Sequence, residues 1–288
     1  QRLTEVPSRN LGFLLQKRSN DFYRAMGERL TEAARAERSV RARCTIEFLD
    51  EIAPSAIASR ILELGQKTDA LAIVAVDHPL VIEAVETLAS RGKPVFTLLS
   101  ELTTPGVAGH VGVDNRKAGR TAAWAISRLA RRPGKIGILL GSHRYLNQET
   151  AEISFRSYMR ESAPDFRLLE PIVNLDDDRI AYEAVTHMIA SNHDLVGIYM
   201  SGGGMPGLVQ ALRDEKAGDR IVAVCNELIP ATRAALIDGT VDMALGTPLS
   251  ALAEKVVAAM SSSVIPGRGE GARSPVLLPA EIFIRENV

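Results

Sequence analysis

The stretch His110-Val-Gly-Val-Asp-Asn-Arg-Lys-Ala-Gly-Arg120 joins a short apolar run to the start of a helical pattern. The run Val111-Gly-Val113 is typical of a strand. Asp114 is a good helix N-cap, and small or apolar residues recur after it at helical spacing from Ala118 to Leu129. Charged residues therefore stand where a strand passes into a helix. In α/β proteins ligands bind at such carboxyl ends of strands, because helix N-termini and free backbone donors meet there.

The composition is that of a folded globular protein without excess positive charge. Of the 288 residues, 46% are hydrophobic, and 34 Lys and Arg balance 35 Asp and Glu for a net charge of -1. This charge disfavours non-specific binding to a nucleic-acid backbone. No stretch approaches the ~20 apolar residues of a membrane-spanning helix. Cys44 and Cys225 lie in apolar runs, which favours buried thiols over a disulfide and indicates a reducing compartment.

Short β-branched runs alternate with longer helical patterns along most of the chain. The predicted strands of the first half are 11–15, 44–48, 70–76, 94–99 and 111–113. After a turn cluster at 131–134, those of the second half are 135–140, 168–173, 195–200 and 220–224. Repeated βα units of this kind predict an α/β fold with parallel sheets and right-handed crossovers. The run from Val276 to Ile284, which follows the turn segment 266–272, is predicted to be one closing strand.

The junction motif also resembles a known family. Residues 111–120 are similar to the strand-to-helix motif in the regulatory domain of LacI/GalR-type bacterial transcription regulators, and residues 275–285 to their terminal strand. The resemblance implies two Rossmann-like lobes, joined by three crossovers as in type I periplasmic binding proteins, that close on a small ligand. The implied division is a hinge remnant at 1–7, an N-terminal lobe at 8–131 plus 248–272, and a C-terminal lobe at 132–247 plus 273–288.

Polar and aromatic residues follow the predicted strands of the N-terminal lobe. Phe22 and Tyr23 are suited to stack on a sugar face while Asn20 or Asp21 hydrogen-bonds its hydroxyls, although a helix cap and a core aromatic fit the same residues. Asp77 and His78 precede a proline and fit a helix start equally well. The candidate ligand-binding residues of this lobe are Asn20, Phe22, Tyr23, Asp77, His78, Ser100, Glu101 and Asp114.

The C-terminal lobe departs from the pattern of sugar-binding relatives. The resemblance implies Arg at the position of Ala151, Asn at Ser201, Asp at Asn226 and Gln at Gly246. These altered anchors indicate a specificity other than that of an average pentose or hexose binder. The glycine loop after Ser201 lacks the spacing of a nucleotide-binding motif. The candidate ligand-binding residues here are Tyr145, Glu149, Ser201, Asn226, Glu227 and Thr247.

Catalytic and metal-binding motifs are not evident, so neither enzyme activity, a metal nor a cofactor is expected. The main hypothesis is the effector-binding domain of a cytoplasmic LacI-type transcription regulator. It would form a homodimer, bind a sugar, polyol or sugar acid, have no membrane partner, and act on operator DNA through a helix-turn-helix before Gln1. The alternative is an extracytoplasmic sugar-binding protein of an ABC importer, and an α/β enzyme is the third hypothesis.

Overall fold

The chain forms two α/β units whose boundaries differ from the predicted ones. The computed structural model describes residues 7–50, 53–265 and 274–288. Unit 1 comprises Gln1–Gly112 and Pro248–Leu278, and unit 2 comprises Val113–Thr247 and Pro279–Val288, so the chain passes between the units three times. Apart from Pro7, the predicted hinge remnant lies outside the described residues, as does the predicted turn segment 266–272.

Unit 1 is built on a six-stranded sheet. Its strands are β1 (Ser8–Gln16), β2 (Arg41–Leu49), β3 (Ala70–Ile73), β4 (Val95–Leu98), β5 (Gly109–Val113) and β12 (Val276–Leu278), in the order β12-β5-β4-β3-β1-β2. Strands β1 to β5 pair in parallel. Its helices are α1 (Asp21–Ala36), α2 (Pro54–Lys67), α3 (Pro79–Ser90) and α9 (Leu249–Ser263). Apolar residues at helical spacing are buried, for example Ile57, Ile61 and Leu64 of α2.

Unit 2 is built on a seven-stranded sheet. Its strands are β6 (Lys135–Leu140), β7 (Arg167–Leu168), β8 (Ile172–Val173), β9 (Leu195–Met200), β10 (Val222–Asn226), β11 (Met243–Gly246) and β13 (Glu281–Phe283), in the order β13-β11-β10-β9-β6-β7, with β8 also paired to β6. Its helices are α4 (Asn115–Leu129), α5 (Leu146–Ser162), α6 (Asp178–Ser191), α7 (Met205–Asp214) and α8 (Pro230–Asp238). The predicted α/β class with two units of mainly parallel sheet is confirmed.

The first crossover lies earlier in the chain than predicted, because α4 belongs to unit 2. The predicted N-terminal lobe extended to residue 131, but α4 packs on α5 and on the strands β9 to β11. The two helices approach closely at Gly119, where an added Cβ would lie 2.1 Å from the carbonyl oxygen of Ala151. Ala122 and Ile126 are buried in the same core as Phe155. The stripe of small residues on α4 therefore faces α5.

The C-terminal run forms two strands rather than one. Strand β12 lies beside β5 in unit 1, whereas β13 pairs antiparallel with β11 in unit 2. Pro279 and Ala280 separate them, and proline cannot donate a ladder hydrogen bond. The run therefore contributes to both units and not, as predicted, to the second alone. The predicted strand 168–173 is likewise divided, into β7 and β8.

Candidate functional site

The carboxyl ends of four parallel strands bring polar residues together in unit 2. Strands β6, β9, β10 and β11 are neighbours in the sheet and run parallel. We call the residues that end or follow them the carboxyl edge of unit 2. Here Asn226 Nδ2 donates to the carbonyl oxygen of Ser201 at 3.0 Å, and Tyr199 Oη approaches Asn226 Oδ1 at 3.4 Å. The structure thus brings together predicted site residues from β9 and β10.

Glu227 connects β10 to β11 at the same edge. Its backbone N–H donates to the carbonyl oxygen of Leu245 at 2.9 Å. Its carboxylate accepts hydrogen bonds from Thr247 N at 2.9 Å and from Thr247 Oγ1 at 2.6 Å. Desolvation raises the pKa of Glu227 to about 7, and the negative charge of Glu281 adds to the rise, while the hydrogen bonds from Thr247 oppose it.

Two hydroxyls of the carboxyl edge are buried and have no hydrogen-bond partner among the described residues. They are Tyr145 Oη and Ser201 Oγ, in residues that are 3% and 4% exposed. Desolvation raises the pKa of Tyr145 above its ordinary range, and the charge of Asp176 adds to the rise. A buried polar group without a partner costs about 1–3 kcal/mol. Each hydroxyl therefore stands where a bound polar molecule would complete its hydrogen bonding.

Asp176 lies at this edge although no sequence pattern pointed to it. It follows β8 in the left-handed region, with φ of 53°. Its Oδ1 accepts a hydrogen bond from Gly203 N at 2.5 Å, and an added Cβ on Gly141 would lie 2.1 Å from the same oxygen. The glycines after β6 and β9 therefore make room for a carboxylate of the protein. The tolerance of Asp for this backbone region is the signal that was available in the sequence.

Three predicted residues cap helices. Asn20 Oδ1 accepts from Phe22 N at 2.9 Å at the start of α1, and His78 Nδ1 accepts from Leu80 N at 3.2 Å at the start of α3. Asp114 accepts from the N–H of Lys117 at 3.1 Å at the start of α4 and pairs with the ammonium of the same residue at 3.3 Å. Asp114 also lies in unit 2, and not in the first lobe as predicted.

The other predicted residues are distributed over both units. Asp77 accepts from the backbone N–H of Thr103 at 2.9 Å and also from its hydroxyl. Phe22 is buried and meets half-buried Tyr23 edge-on, with ring centroids 5.2 Å apart. At the end of β4, Ser100 is buried and Glu101 is exposed, and Glu149 is half-buried in the first turn of α5.

Gln16 at the end of β1 was not predicted as a site residue. Its Nε2 donates to the carbonyl oxygen of Val74 at 2.7 Å, and its buried Oε1 has no hydrogen-bond partner in the part of the chain that the structure describes. A glutamine that ends an apolar strand carries no motif, so only the packing identifies it. It gives the carboxyl end of the unit 1 sheet an acceptor that remains available.

Residues 7–50, 53–265 and 274–288 contain neither a candidate metal site nor a candidate membrane span. Within these ranges no group of three or more His, Cys, Asp and Glu residues is arranged to hold a metal ion. No helix there is long and apolar enough to cross a membrane. Both cysteines are free; Cys225 is buried as predicted, whereas Cys44 is partly exposed.

Comparison with known proteins identifies the family. The family model described as a periplasmic binding protein domain matches residues 11–265. A search of curated protein sequences finds no match. Among solved structures, the chain is similar to an ABC transporter solute-binding protein from Burkholderia graminis C4D1M in complex with D-arabinose, with a TM-score of 0.89, 16% identity and coverage of 99% of this chain and 98% of the other.

Two further structures show the same similarity. A solute-binding protein from Agrobacterium vitis bound with α-D-tagatopyranose has a TM-score of 0.87, 17% identity and coverage of 97% and 95%. A periplasmic solute-binding protein from Actinobacillus succinogenes 130z with bound D-allose has a TM-score of 0.85, 16% identity and coverage of 96% and 98%. At these identities the similarity demonstrates a shared fold.

The comparisons correct the main functional hypothesis. The similar structures are solute-binding proteins of ABC transporters rather than transcription regulators, so the predicted regulator role and DNA binding are wrong. The predicted cytoplasmic location is wrong for the same reason, since these relatives are periplasmic-type binding proteins. The homodimer stays a prediction. With its family model matched over residues 11–265, the chain belongs to the periplasmic binding protein domain family.

Proposed function

We propose that this protein is an extracytoplasmic sugar-binding protein that serves an ABC importer, the alternative left open by the sequence. The observation that carries the proposal is the pair of buried hydroxyls of Tyr145 and Ser201 at the carboxyl edge of unit 2, which have no hydrogen-bond partner among the described residues. Sugar hydroxyls both donate and accept hydrogen bonds, so they can satisfy both side chains. The sugars named with the similar structures support the same ligand class.

The residues around these hydroxyls fit a polyhydroxylated ligand. Asp176 and Asn226 supply a carboxylate and an amide at the same edge. Ala151 is buried against α4, so the position where the resemblance implies Arg provides helix packing in this chain.

Thermal-shift screening against D-arabinose, D-allose, D-tagatose, D-fucose, polyols and sugar acids tests the ligand class. A sugar present at ~100 times its Kd is expected to add about 2.7 kcal/mol to the free energy of unfolding, because it binds only the folded protein. Calorimetry then gives the Kd of each sugar that shifts the Tm. Failure of every sugar to raise the Tm or to give heat of binding would contradict the proposal.

Removal of single hydroxyls tests the site. Ser201→Ala and Tyr145→Phe are each expected to weaken sugar binding about 5- to 10-fold, because each removes the free energy of one hydrogen bond. Ser261→Ala is the matched control, because Ser261 Oγ is also buried with no partner in the described part of the chain but lies on α9 of unit 1. The control is expected to bind like the wild type. Unchanged affinity in both site variants would remove these hydroxyls from the ligand site.

A further inference from the structure

We infer that Glu227 is a positioning residue whose ionised carboxylate holds Thr247 where the chain leaves unit 2, so that sugar affinity depends on pH. The inference rests on the proposed sugar-binding function and adds its regulation. Thr247 is the last residue of its segment of unit 2, and Pro248 begins the return to unit 1. We call the pair of hydrogen bonds between Glu227 and Thr247 the Glu227 clasp.

Glu227 forms hydrogen bonds to the residues before and after Gly246, the last residue of β11. The backbone N–H of Glu227 bonds to the carbonyl oxygen of Leu245, and its carboxylate receives both the N–H and the hydroxyl of Thr247. The carbonyl oxygen of Glu227 accepts in turn from Thr232 Oγ1 at 2.8 Å, which anchors the residue to α8. Glu227 has φ of 69°, in the left-handed region that non-glycine residues seldom adopt. Such a backbone conformation persists only where surrounding contacts hold it.

The charge of Glu227 has no cation to balance it in the described structure. The ionisable groups around it are Tyr199 on β9, Cys225 on β10 and Glu281 on β13. On α8, Arg233 is exposed and Asp238 pairs with Arg213. Hydrogen bonds from Thr247 are therefore the principal stabilisation of the ionised form, and desolvation opposes them.

Protonation changes the clasp within the neutral range. Since the pKa of Glu227 is raised to about 7, both forms are populated near neutral pH. In the ionised form both carboxylate oxygens accept from Thr247. A proton on Oε1 prevents that oxygen from accepting the 2.6 Å bond from Thr247 Oγ1, and the bond can re-form only in reverse and without charge assistance. Thr247 and the neighbouring Asn226 are then held less firmly.

Affinity and stability are expected to change in opposite directions with pH. Because the folded-state pKa lies above that of the unfolded chain, the folded protein binds this proton more readily. The contribution of Glu227 to stability is therefore fully present below the unfolded pKa and is lost as pH rises through about 7. Sugar affinity, in contrast, is expected to increase as pH rises through the pKa of Glu227, because the ionised carboxylate accepts both hydrogen bonds of the clasp.

Calorimetric titration from pH 5.5 to 8.5 tests the coupling. The probe is whichever of D-arabinose, D-allose or D-tagatose gives the largest thermal shift. Wild-type affinity is expected to fall about 5-fold as pH falls through this range, which corresponds to the free energy of one hydrogen bond. Glu227→Gln is expected to bind at the low-pH level throughout. Thr247→Ser is expected to retain the wild-type profile, whereas Thr247→Val shifts the midpoint to higher pH because it removes a donor to the charged form.

Glu281→Gln is the matched electrostatic control. It removes the neighbouring negative charge without altering the clasp, so the midpoint of the affinity profile is expected to move to lower pH. A flat affinity profile in the wild type, or one that persists unchanged in Glu227→Gln, would overturn the inference. An unmoved midpoint in Glu281→Gln would also count against it.

The Thr247 amide proton provides a readout that needs no sugar. Its NMR chemical shift is expected to titrate near pH 7 in the wild type and to be independent of pH in Glu227→Gln. A titrating amide together with a flat sugar affinity would refute the coupling while leaving sugar binding intact. Absence of binding to every sugar of the thermal-shift panel would overturn the proposed function and the coupling together, and the amide titration would still report whether the clasp forms.

Discussion

His110 on β5 shows how one buried side chain makes the fold sensitive to acid. A ring nitrogen lies 2.9 Å from Thr97 Oγ1, and desolvation lowers the pKa of His110 to about 4. The unfolded chain, with a pKa near 6.5, takes up a proton first as pH falls. The stabilising contribution of neutral His110 is therefore present above pH ~6.5 and is lost toward pH ~4, by up to about 3 kcal/mol.

Urea unfolding between pH 7.5 and 4.5 measures this loss. In His110→Gln the decrease of the unfolding free energy over this window is expected to be smaller than in the wild type. Because protonation of Glu227 acts in the opposite direction, the comparison is made in the Glu227→Gln background. An identical pH dependence with and without His110 would contradict the assignment.

Residues of the candidate site were predictable only where they follow a predicted strand. Ser201, Asn226 and Thr247 follow apolar strands, and the structure places them at one edge of the unit 2 sheet. Asp176 could not be found this way, because its position depends on glycines that come from two other segments. Gln16 could not be found either, because its Oε1 lacks a partner among the described residues only once the protein is packed.

The α4–α5 contact in unit 2 depends on the absence of a side chain at Gly119. An added Cβ would meet the backbone oxygen of Ala151 at 2.1 Å, and backbone cannot move aside cheaply. Gly119→Ala is therefore expected to destabilise unit 2 by about 1–3 kcal/mol, although alanine in a helix is ordinarily favoured over glycine by ~1 kcal/mol. Thermal and urea unfolding measure the change.

Gly27 on α1 is the matched control. It is also a buried helical glycine, but its added Cβ meets the ring edge of Phe48 at 3.3 Å rather than backbone. Gly27→Ala is expected to be neutral or slightly stabilising. If Gly119→Ala were as stable as Gly27→Ala, the close helix contact would be refuted.

The helices and central strands were predictable because their apolar periodicity is local. The terminal strands were not, because the run 276–284 has one uninterrupted extended pattern apart from its proline and alanine. Which sheet edge each half joins depends on partners far away in the sequence, β5 for β12 and β11 for β13. The same applies to α4, because its stripe of small residues indicates a close helix contact but not which helix is the partner.

Each of the two units has its own sheet, so the loss of a strand is expected to destabilise only the unit that contains it. Deletion of residues 279–288 removes β13 and exposes the edge of β11, where Phe283 covers Gly246. Hydrogen-exchange mass spectrometry is expected to show lost protection in β10 and β11 and little change in β1 to β4. Ile61→Ala in α2 is the reciprocal control and is expected to affect unit 1. Equal loss of protection in both units would contradict this division.

Local sequence patterns specify the α/β class, the presence of two repeated halves and the strand ends at which polar groups lie. These properties depend on periodicity and on turn residues, which act over short stretches of chain. Long-range contacts place α4 in unit 2 and divide the last run between both sheets. They also leave polar atoms of Tyr145, Ser201 and Gln16 without a partner among the residues that the structure describes. Those outcomes depend on contacts between residues distant in sequence, so no local sequence pattern predicts them.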